Sequence, residues 1–270
     1  MTPDDLERRL RDALRPGRKA YRSIPHLPGS RTGPSDRTVD AHQTRLCTAQ
    51  VRDSKDRVVV LEKLDGTCVA AVRLGDQVVA VGRYGRLAAE SRFIGRQHFA
   101  RWVGEHQARL RSLLEDGERV VGEWLSVAHG TRYALPHEPF VAFDLIRGER
   151  RALWPEVRVR AEAAGVVTAA TLHEGAPCSV ERALELLGPH GHHGAIDLAE
   201  GAVWRLERDD ARRQGVDLVA KVVRQEKVAG LYLADRTGEG HVWNRWLGGV
   251  GVVAGRAAQG PCRIQSGAQY

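Results

Sequence analysis

The sequence predicts an α+β fold, and three observations lead to this prediction. Short apolar runs that are typical of strands recur along the chain. Segments with apolar residues at helical spacing lie between these runs. Gly75-Asp76 separates two of the apolar runs as a two-residue turn of hairpin type. The predicted strands lie near residues 57–82, 119–125, 139–146, 166–172, 201–208 and 217–223.

Four segments predict helices from their spacing or their end signals. Residues 4–15 and 97–116 carry apolar residues on one helical face. Residues 155–164 begin with a proline and are followed by a glycine, and residues 179–188 begin with a serine and end with a glycine. In contrast, residues 22–45 are rich in proline, glycine, serine and arginine, which predicts an irregular arm.

Length and composition fit a globular protein. The 270 residues suffice for one large domain with a substantial core, and 42% of them are apolar. No stretch of ~18 apolar residues is present and the first residues lack a signal pattern, so we expect a soluble, cytoplasmic protein. The four cysteines contain no Cys-x-x-Cys pair, which favours reduced thiols over disulfides or a zinc site. They are Cys47, Cys68, Cys178 and Cys262.

The charge balance suits a polyanionic partner such as nucleic acid. The net charge is +7 and the sequence pI is about 9.6. Two basic runs, Arg92-Phe-Ile-Gly-Arg96 and Arg8-Arg9-Leu-Arg11, are candidates for phosphate contacts. Most arginines of a basic chain only face solvent, so the charge supports nucleic-acid binding without proving it.

A lysine at the end of an apolar strand is the main candidate for catalysis. The run 58–61 is followed by Glu62 and then by Lys63-Leu-Asp65-Gly66. Gly66 lets the backbone turn and approach a ligand closely. A free lysine titrates near ~10.4 and must lose its proton to attack phosphorus, which burial and nearby positive charge both favour. The tetrapeptide alone also occurs by chance at strand ends.

Five further segments follow Lys63, and each places a charged or aromatic residue in a predicted strand or at its end. These residues are Arg83, Glu123, Phe143, Glu200 and Lys221. Together with Lys63 they resemble, in order, motif I, the following arginine motif and motifs III, IIIa, IV and V of the covalent nucleotidyltransferase superfamily. This superfamily comprises ATP-dependent RNA and DNA ligases and mRNA capping enzymes. The resemblance spans roughly residues 57 to 224.

Within the superfamily the chain is most similar to the RNA ligases. The stretch from Gly122-Glu-Trp-Leu through His129, Tyr133 and Pro136 to Asp144 resembles that branch. The segment 21–30 resembles a sequence that recurs in bacterial RNA-ligase-domain proteins. The resemblance implies an adenylyltransferase fold with mainly antiparallel sheets and flanking helices around a nucleotide cleft.

The resemblance also implies a mechanism. Lys63 would attack the α-phosphate of ATP, form lysyl-AMP and release pyrophosphate. The AMP would pass to a 5′-phosphate end of a nucleic acid, RNA above all, and a 3′-hydroxyl would displace it. Lys221 would place positive charge at the α-phosphate, and Glu200 would hold Mg²⁺ or Mn²⁺. Lys221 and the metal would also lower the pKa of Lys63.

The remaining site residues receive roles from the same resemblance. Phe143 would stack on the adenine, Glu123 and Arg83 would contact the ribose or the acceptor phosphate, and Glu62 would lie near the adenine edge. Asp65, in the same tetrapeptide as the nucleophile, is a further candidate for catalysis. The alternative for Phe143 is a core position, and the charged residues singly would more often be solvated strand ends.

Two positions depart from the family pattern. An arginine is usual two residues after the motif I glycine, but Cys68 occupies that position and Arg73 is a candidate replacement. A second lysine is common two residues after the first in motif V, but Val223 stands there, with Arg224 and Lys227 nearby. These departures put the sealing step in doubt more than the adenylylation step.

The predicted organisation has three parts. Residues 1–45 form an N-terminal helix and arm, residues 46–230 form the nucleotidyltransferase domain, and residues 231–270 form a weakly structured extension. The extension is too short for the five-stranded OB barrel that DNA ligases and capping enzymes usually append. We therefore predict an ATP-dependent RNA ligase. The alternatives are a minimal ATP-dependent DNA ligase and a degenerate nucleic-acid-binding module without turnover.

A histidine cluster lies outside these motifs. His190, His192 and His193 follow one another in a glycine-containing loop. Histidines can bind a metal, but no carboxylate or cysteine completes a recognisable spacing. We therefore expect a solvent-exposed loop.

Overall fold

Helices and strands alternate along the chain largely as the apolar pattern predicts. The computed structural model describes residues 2–14, 19–209 and 215–246. In chain order, the elements within these residues are α1 (Pro3–Ala13), α2 (Ala41–Thr48), β1 (Asp56–Lys63), β2 (Thr67–Leu74), β3 (Gln77–Gly82), α3 (Ile94–Glu105), α4 (Gln107–Leu113), β4 (Glu118–Trp124), β5 (Ala134–Leu135), β6 (Phe140–Arg147), β7 (Arg150–Arg151), α5 (Trp154–Ala163), β8 (Thr171–Gly175), α6 (Val180–Leu187), β9 (Gly201–Arg208), β10 (Gly215–Val223), α7 (Ala234–Thr237) and β11 (Arg245–Trp246).

Two antiparallel sheets organise these elements. The first sheet has the strand order β10-β9-β1-β8, and the second has the order β3-β2-β4-β6-β7. A short parallel pair of β11 and β5 lies apart from both. The predicted α+β class with mainly antiparallel sheets is confirmed.

The continuous apolar run in β1 is explained by burial on both faces of the strand. Val59 and Leu61 belong to the core that the two sheets share, whereas Val58 and Val60 belong to a second core with residues of α2 and α6. Successive side chains of a strand point to opposite faces, so each face of β1 reaches a different core. β1 is thereby held rigidly up to its last residue, Lys63.

The predicted helix 97–116 is two helices. α3 ends at Glu105 and α4 begins at Gln107, with His106 in a non-helical conformation between them. The ring of His106 stacks on Trp102, and its Nδ1 lies 2.7 Å from the carbonyl oxygen of Trp102. This local bond competes with the helical pattern, which the apolar spacing could not reveal.

The predicted strand at 166–172 is also corrected. Only β8, from Thr171, is a strand, because the preceding residues bond to the other sheet. Ala142 of β6 donates to the carbonyl of Val167, and Ala169 donates to the carbonyl of Ala142. The chain therefore crosses from the second sheet to the first over residues 167–171.

The predicted irregular arm ends in a helix. Asp40 and Gln43 form a reciprocal capping box at the start of α2, so the last part of the segment 22–45 is helical. Residues 19–39, here named the N-terminal arm, lie along β10. The N–H of Leu27 donates to the carbonyl of Lys221 at 2.8 Å, and the N–H of Lys221 donates to Pro25 at 3.0 Å.

The predicted division into three parts stays a prediction. Residues 247–270 of the predicted C-terminal extension, including Cys262, lie outside the described residues. Cys47, Cys68 and Cys178 are free thiols. Among the described residues, no helix has the length and apolar character needed to cross a membrane.

A buried ion cluster connects the two sheets. Arg205 of β9 lies 3.2 Å from Asp144 of β6 and 2.9 Å from Glu207. Glu207 also accepts from Arg57 at 3.0 Å and from the backbone N–H of Trp154 at 3.0 Å. Arg205 and Glu207 are each only 1% exposed, so every charge in the cluster depends on its partners.

Replacing Glu207 by alanine is expected to lower the free energy of unfolding by about 3 kcal/mol, because it leaves a buried arginine poorly paired. Urea denaturation measures this loss. Glu174→Ala is the matched control, because Glu174 also pairs with Arg57 at 3.0 Å but is partly exposed. Its expected cost is about 1 kcal/mol or less. Equal losses in the two variants would contradict the importance of the buried cluster.

Candidate active site

One cavity collects the predicted site residues. Its volume is about 530 Å³, and residues of both sheets line it. The predicted residues that line the cavity are Glu62, Lys63, Asp65, Arg83, Glu123, Phe143, Glu200 and Lys221. Residues separated by up to 159 positions (221 − 62) thus share one space, although their individual roles stay predictions.

Strand register brings the lysines and one glutamate together. β1 and β9 pair so that Lys63 lies opposite Gly201, which places Glu200 beside the lysine. The Nζ of Lys63 lies 2.5 Å from a carboxylate oxygen of Glu200. β9 also pairs with β10, and Lys221 lies opposite Val203. A Cβ on Gly201 would lie 2.0 Å from the carbonyl oxygen of Val222, so only glycine permits this approach of the two strands.

Two more carboxylates face the same lysine. Glu123 of β4 lies opposite Cys68 of β2, and its carboxylate accepts from the N–H of Gly66 at 3.2 Å. Burial, with the negative charges of Glu200 and Asp65, raises the pKa of Glu123 to about 8 although Lys63 opposes the rise. Glu123 therefore holds a proton more readily than an exposed glutamate does.

Asp65 is held by the loop that follows β4. Its Oδ2 accepts from the N–H of Gly130 at 3.0 Å and from the hydroxyl of Thr131 at 3.1 Å. Its backbone N–H donates to the hydroxyl of Tyr133 at 3.1 Å. These bonds fix the turn of the Lys-x-Asp-Gly tetrapeptide, so Asp65 orients the segment that carries Lys63 as well as lining the cavity.

The pKa of Lys63 is raised above its ordinary value. Burial alone would lower it, because loss of water disfavours the charged ammonium, but the carboxylates of Glu200, Glu123 and Asp65 outweigh burial. The sequence predicted the opposite direction, so that prediction is wrong as far as the protein's own side chains decide the pKa. The reason is that Glu123 and Glu200, which come from distant segments, join the neighbouring Asp65 around the lysine.

The pKa of Lys221 is shifted in the opposite direction to that of Lys63. Burial, and then the charge of Lys63, lowers the pKa of Lys221, although Asp36 and Glu200 partly oppose this. Arg83 follows β3, and its guanidinium donates to the hydroxyl of Ser23 at 2.8 Å. The cavity wall thus carries cations, Arg83 and Lys221, as well as the carboxyl groups of Glu123 and Glu200.

The N-terminal arm contributes to the site, which the motif analysis missed. Tyr21 and Ile24 line the cavity, and the ring of Tyr21 packs edge-on against Phe143 at 5.2 Å between centroids. The hydroxyl of Ser23 accepts the hydrogen bond from Arg83. The only signal in the sequence was the likeness of segment 21–30 to RNA-ligase-domain proteins, which gave these residues no role.

Arg73, the candidate replacement for the missing arginine, lies elsewhere, as do Arg224 and Lys227, the two cations near Val223. Arg73 donates to the carbonyls of Gly75, Arg111 and Leu114. Arg224 donates to the carbonyls of Leu184 and Gly188. The buried Nζ of Lys227 donates to the carbonyls of Gly130 and Leu198 and to the hydroxyl of Thr131. None of the three lines the cavity, because backbone carbonyls bind each of them.

The histidine loop is only partly exposed to solvent. His190 and His192 are exposed, but His193 is buried and its Nδ1 lies 2.8 Å from Nε2 of His137. Burial, with the neighbouring histidines, lowers the pKa of His193 to about 3. The prediction of a solvent loop is therefore wrong for His193.

The same loop fixes Glu62. The N–H of His192 donates to a carboxylate oxygen of Glu62 at 2.8 Å, and Glu62 is 3% exposed. Burial raises the pKa of Glu62 to about 7. Glu62 thus anchors the loop 189–194 to the end of β1 at the wall of the cavity.

Comparison with known proteins supplies a family. A family model described as RNA ligase matches residues 56–223. Among curated proteins no match was found. Naegleria gruberi RNA ligase is among the similar solved structures. One variant, with ATP and Mn, is 16% identical, with a TM-score of 0.50 over 76% of this chain and 61% of that chain.

Two further variants of the same ligase agree with this. The variant with AMP and Mn is 16% identical, with a TM-score of 0.51 over 74% of this chain and 59% of that chain. The apo variant is 14% identical, with a TM-score of 0.50 over 83% of this chain and 59% of that chain. This chain therefore spans about 60% of the length of those structures. At these identities the likeness establishes the fold.

Proposed function

Because the chain belongs to the RNA ligase family, whose model matches more than half of it, we propose that it is an ATP-dependent RNA ligase acting through a lysyl-AMP intermediate. It would join 5′-phosphate and 3′-hydroxyl ends of nucleic acid. The observation that carries the proposal is the shared cavity, in which Lys63 lies 2.5 Å from Glu200 and Lys221 lines the same wall. The net charge of +7 suits a nucleic-acid substrate.

In the first step, Lys63 attacks the α-phosphorus of ATP. A nitrogen–phosphorus bond forms, the bond to the pyrophosphate oxygen breaks, and pyrophosphate leaves. The ammonium must first release its proton, and the carboxylate of Glu200 is within hydrogen-bond distance to accept it. Lys221 stabilises the negative charge on the non-bridging oxygens of the α-phosphate.

The second step transfers AMP from Lys63 to the 5′-phosphate end, and the third step joins the two nucleic-acid ends. An oxygen of the 5′-phosphate attacks the AMP phosphorus, the nitrogen–phosphorus bond breaks, and Lys63 is regenerated. A 3′-hydroxyl then attacks the 5′-phosphorus, loses its proton and displaces AMP. Burial raises the pKa of both Glu123 and Glu200, so their carboxyl groups hold protons more readily than exposed glutamates and can take part in these proton transfers.

A divalent cation fits the donors of this cavity. The similar Naegleria structures hold ATP or AMP with Mn, and we propose ATP with Mg²⁺ or Mn²⁺ for this chain. Within the described ranges no three histidine, cysteine, aspartate or glutamate side chains form a metal cluster. Glu200 would therefore supply one oxygen, with phosphate oxygens and water as the other ligands, which is how Mg²⁺ usually binds. The ion would supply positive charge at the phosphates.

The nucleoside would lie against the aromatic and acidic wall. Phe143 is half-buried and faces the cavity, so we propose that it stacks on the adenine. Glu62 would lie at the adenine edge, and Arg83 and Glu123 would contact the ribose or the acceptor phosphate. Asp65 would act by orienting the Lys63 segment. A cytoplasmic location, expected from the sequence, is kept as part of the proposal.

A nucleic-acid-binding module without turnover is the second candidate. Cys68 lines the cavity where the family pattern has an arginine, and Val223 replaces a lysine. Both changes remove positive charge from the site. A minimal DNA ligase would share the site with an RNA ligase and would differ in the strand that supplies the 3′-hydroxyl.

Incubation with ATP labelled at the α-phosphate and Mg²⁺ or Mn²⁺ separates these candidates. A ligase is expected to retain label on the denatured protein, and a chelator is expected to prevent the labelling. A binding module would carry no covalent label under any of these conditions, and that result would overturn the proposal. Nicked duplexes with RNA or DNA at the 3′-hydroxyl side then distinguish an RNA ligase from a DNA ligase.

A further inference from the structure

The two basic runs of the sequence differ in the structure. In the run 8–11, each arginine lies beside an acid: Arg8 pairs with Asp5, Arg9 lies 3.5 Å from Asp116, and Arg11 lies 2.7 Å from Glu7. Within the described residues, Arg96 of the other run makes no ion pair and its guanidinium donates no hydrogen bond. The motifs assigned above give Arg96 no role.

Arg96 is placed in the first turn of α3 and lines the cavity. Its guanidinium carbon lies 4.8 Å from the ring centroid of Phe93. On another side it lies against the backbone of Gly82, where a Cβ would be 3.5 Å from Nε. The side chain is thus held in place by an aromatic ring and by the end of β3.

The Nε of Arg96 is buried and has no hydrogen-bond partner. A buried donor without an acceptor costs free energy, and a guanidinium has five N–H donors that suit carboxylates and phosphates. Arg96 therefore carries hydrogen-bonding capacity that no described residue uses.

Two backbone donors directly precede Arg96 in the chain. Ile94 and Gly95 also line the cavity, and within the described ranges their N–H groups have no hydrogen-bond partner. Phe93, at the N-cap of the twelve-residue α3, offers no side-chain cap. The N-terminal end of a helix favours negative charge, so these amides and Arg96 offer donors to the same kind of anion.

Several positive charges act on the part of the cavity around Cys68. Burial and the charge of Glu123 raise the pKa of the Cys68 thiol, whereas Arg83, Lys63 and Arg96 oppose the rise. Arg83 lies directly after Gly82, against which Arg96 packs. Arg96 therefore adds its charge to the cations of the cavity, although it comes from a helix and not from a strand.

We propose that Arg96, with the N–H groups of Ile94 and Gly95, binds a phosphate group of a substrate. The inference rests on the proposed function, which offers two sources of phosphate: ATP and the 5′-phosphate end of the nucleic acid. The ring of Phe93, which also lines the cavity, packs on the guanidinium of Arg96.

Binding measurements test the site without requiring catalysis. The probes are inorganic pyrophosphate and one oligoribonucleotide prepared with a 5′-phosphate or a 5′-hydroxyl. Arg96→Ala is expected to weaken the binding of pyrophosphate or of the 5′-phosphorylated strand at least ~10-fold, because charge-assisted hydrogen bonds are lost. Binding of the 5′-hydroxyl strand is expected to change much less. Arg101→Ala, which removes an exposed arginine of the same helix, is the control.

Activity measurements then identify the source of the phosphate. If Arg96 binds ATP, the variant loses covalent labelling by ATP; if it binds the 5′-phosphate, labelling stays and transfer of AMP to RNA falls. Arg96→Lys is expected to retain only part of the function, since lysine lacks the planar fork. If Arg96→Ala unfolds, Arg96→Gln is measured instead.

Unchanged binding of both probes in Arg96→Ala, or an equal loss in Arg101→Ala, would overturn the inference. Absence of labelling in the unaltered protein would contradict the proposed ligase activity, and the binding of pyrophosphate and of the 5′-phosphorylated strand would still decide the role of Arg96. The two failures are therefore distinguishable.

Discussion

Lys63→Arg and Lys63→Ala are expected to lose all covalent labelling by ATP labelled at the α-phosphate. The lysine nitrogen would form the bond to phosphorus, and neither a methyl group nor a guanidinium replaces it as a nucleophile. The labelled band after denaturing electrophoresis measures this directly. No other change in the cavity is expected to have a larger effect, because the remaining steps depend on lysyl-AMP.

The two substitutions separate chemistry from structure. Alanine leaves Glu200, Glu123 and Asp65 facing one another without the cation that balances them. Arginine keeps a positive charge beside Glu200, so Lys63→Arg is expected to remain folded and to stay unlabelled. Lys55→Ala, an exposed lysine of the chain, is expected to label normally. A labelled Lys63→Arg protein would show that another residue carries the AMP.

Removing Glu200 or Lys221 is expected to reduce the rate of labelling at least ~10²–10³-fold, the range found when a group that stabilises transition-state charge is lost. Glu200 lies 2.5 Å from the lysine nitrogen and would hold the cation, and Lys221 faces the same cavity. The measurement is the initial rate of labelling of Glu200→Ala and Lys221→Ala at saturating ATP and Mg²⁺.

Matched controls exist at exposed positions of two helices. Glu181→Ala in α6 and Arg45→Ala in α2 remove one charge each at exposed positions. Both are expected to label at the rate of the unaltered protein. Normal labelling of Glu200→Ala or Lys221→Ala would remove the proposed role of that residue in the first step.

The position of the site could be predicted because strand ends are visible in the sequence. The apolar run before Lys63 predicts a buried strand, and charged residues at the ends of other strands follow in family order. The antiparallel register that joins Lys63, Gly201 and Lys221 then requires only that these strands be neighbours. For this reason the sequence was sufficient to predict the fold class and the shared cavity.

Other features depend on contacts between distant segments, which local patterns do not contain. The raised pKa of Lys63 comes in large part from Glu200 and Glu123, which are distant from it in the chain. The break at His106 is a local exception, because its ring stacks on Trp102 four residues earlier, a contact that apolar spacing does not record. Tyr21 and Arg96 lie in segments that the sequence singled out, by a family likeness and by a basic run, without indicating that they line the cavity. Packing between distant segments brings them to the cavity, and local sequence patterns do not contain that packing.

The N-terminal arm also limits how the chain can be shortened. A fragment starting at residue 46 would keep every motif from Lys63 to Lys221, yet it would leave the outer strand of the first sheet, β10, without its neighbour. The N–H and carbonyl of Lys221 would then be open to pairing with another molecule, as at any bare sheet margin. If such a fragment self-associates, the cause would be the exposed edge of β10. The result would give no information about the chemistry of Lys63.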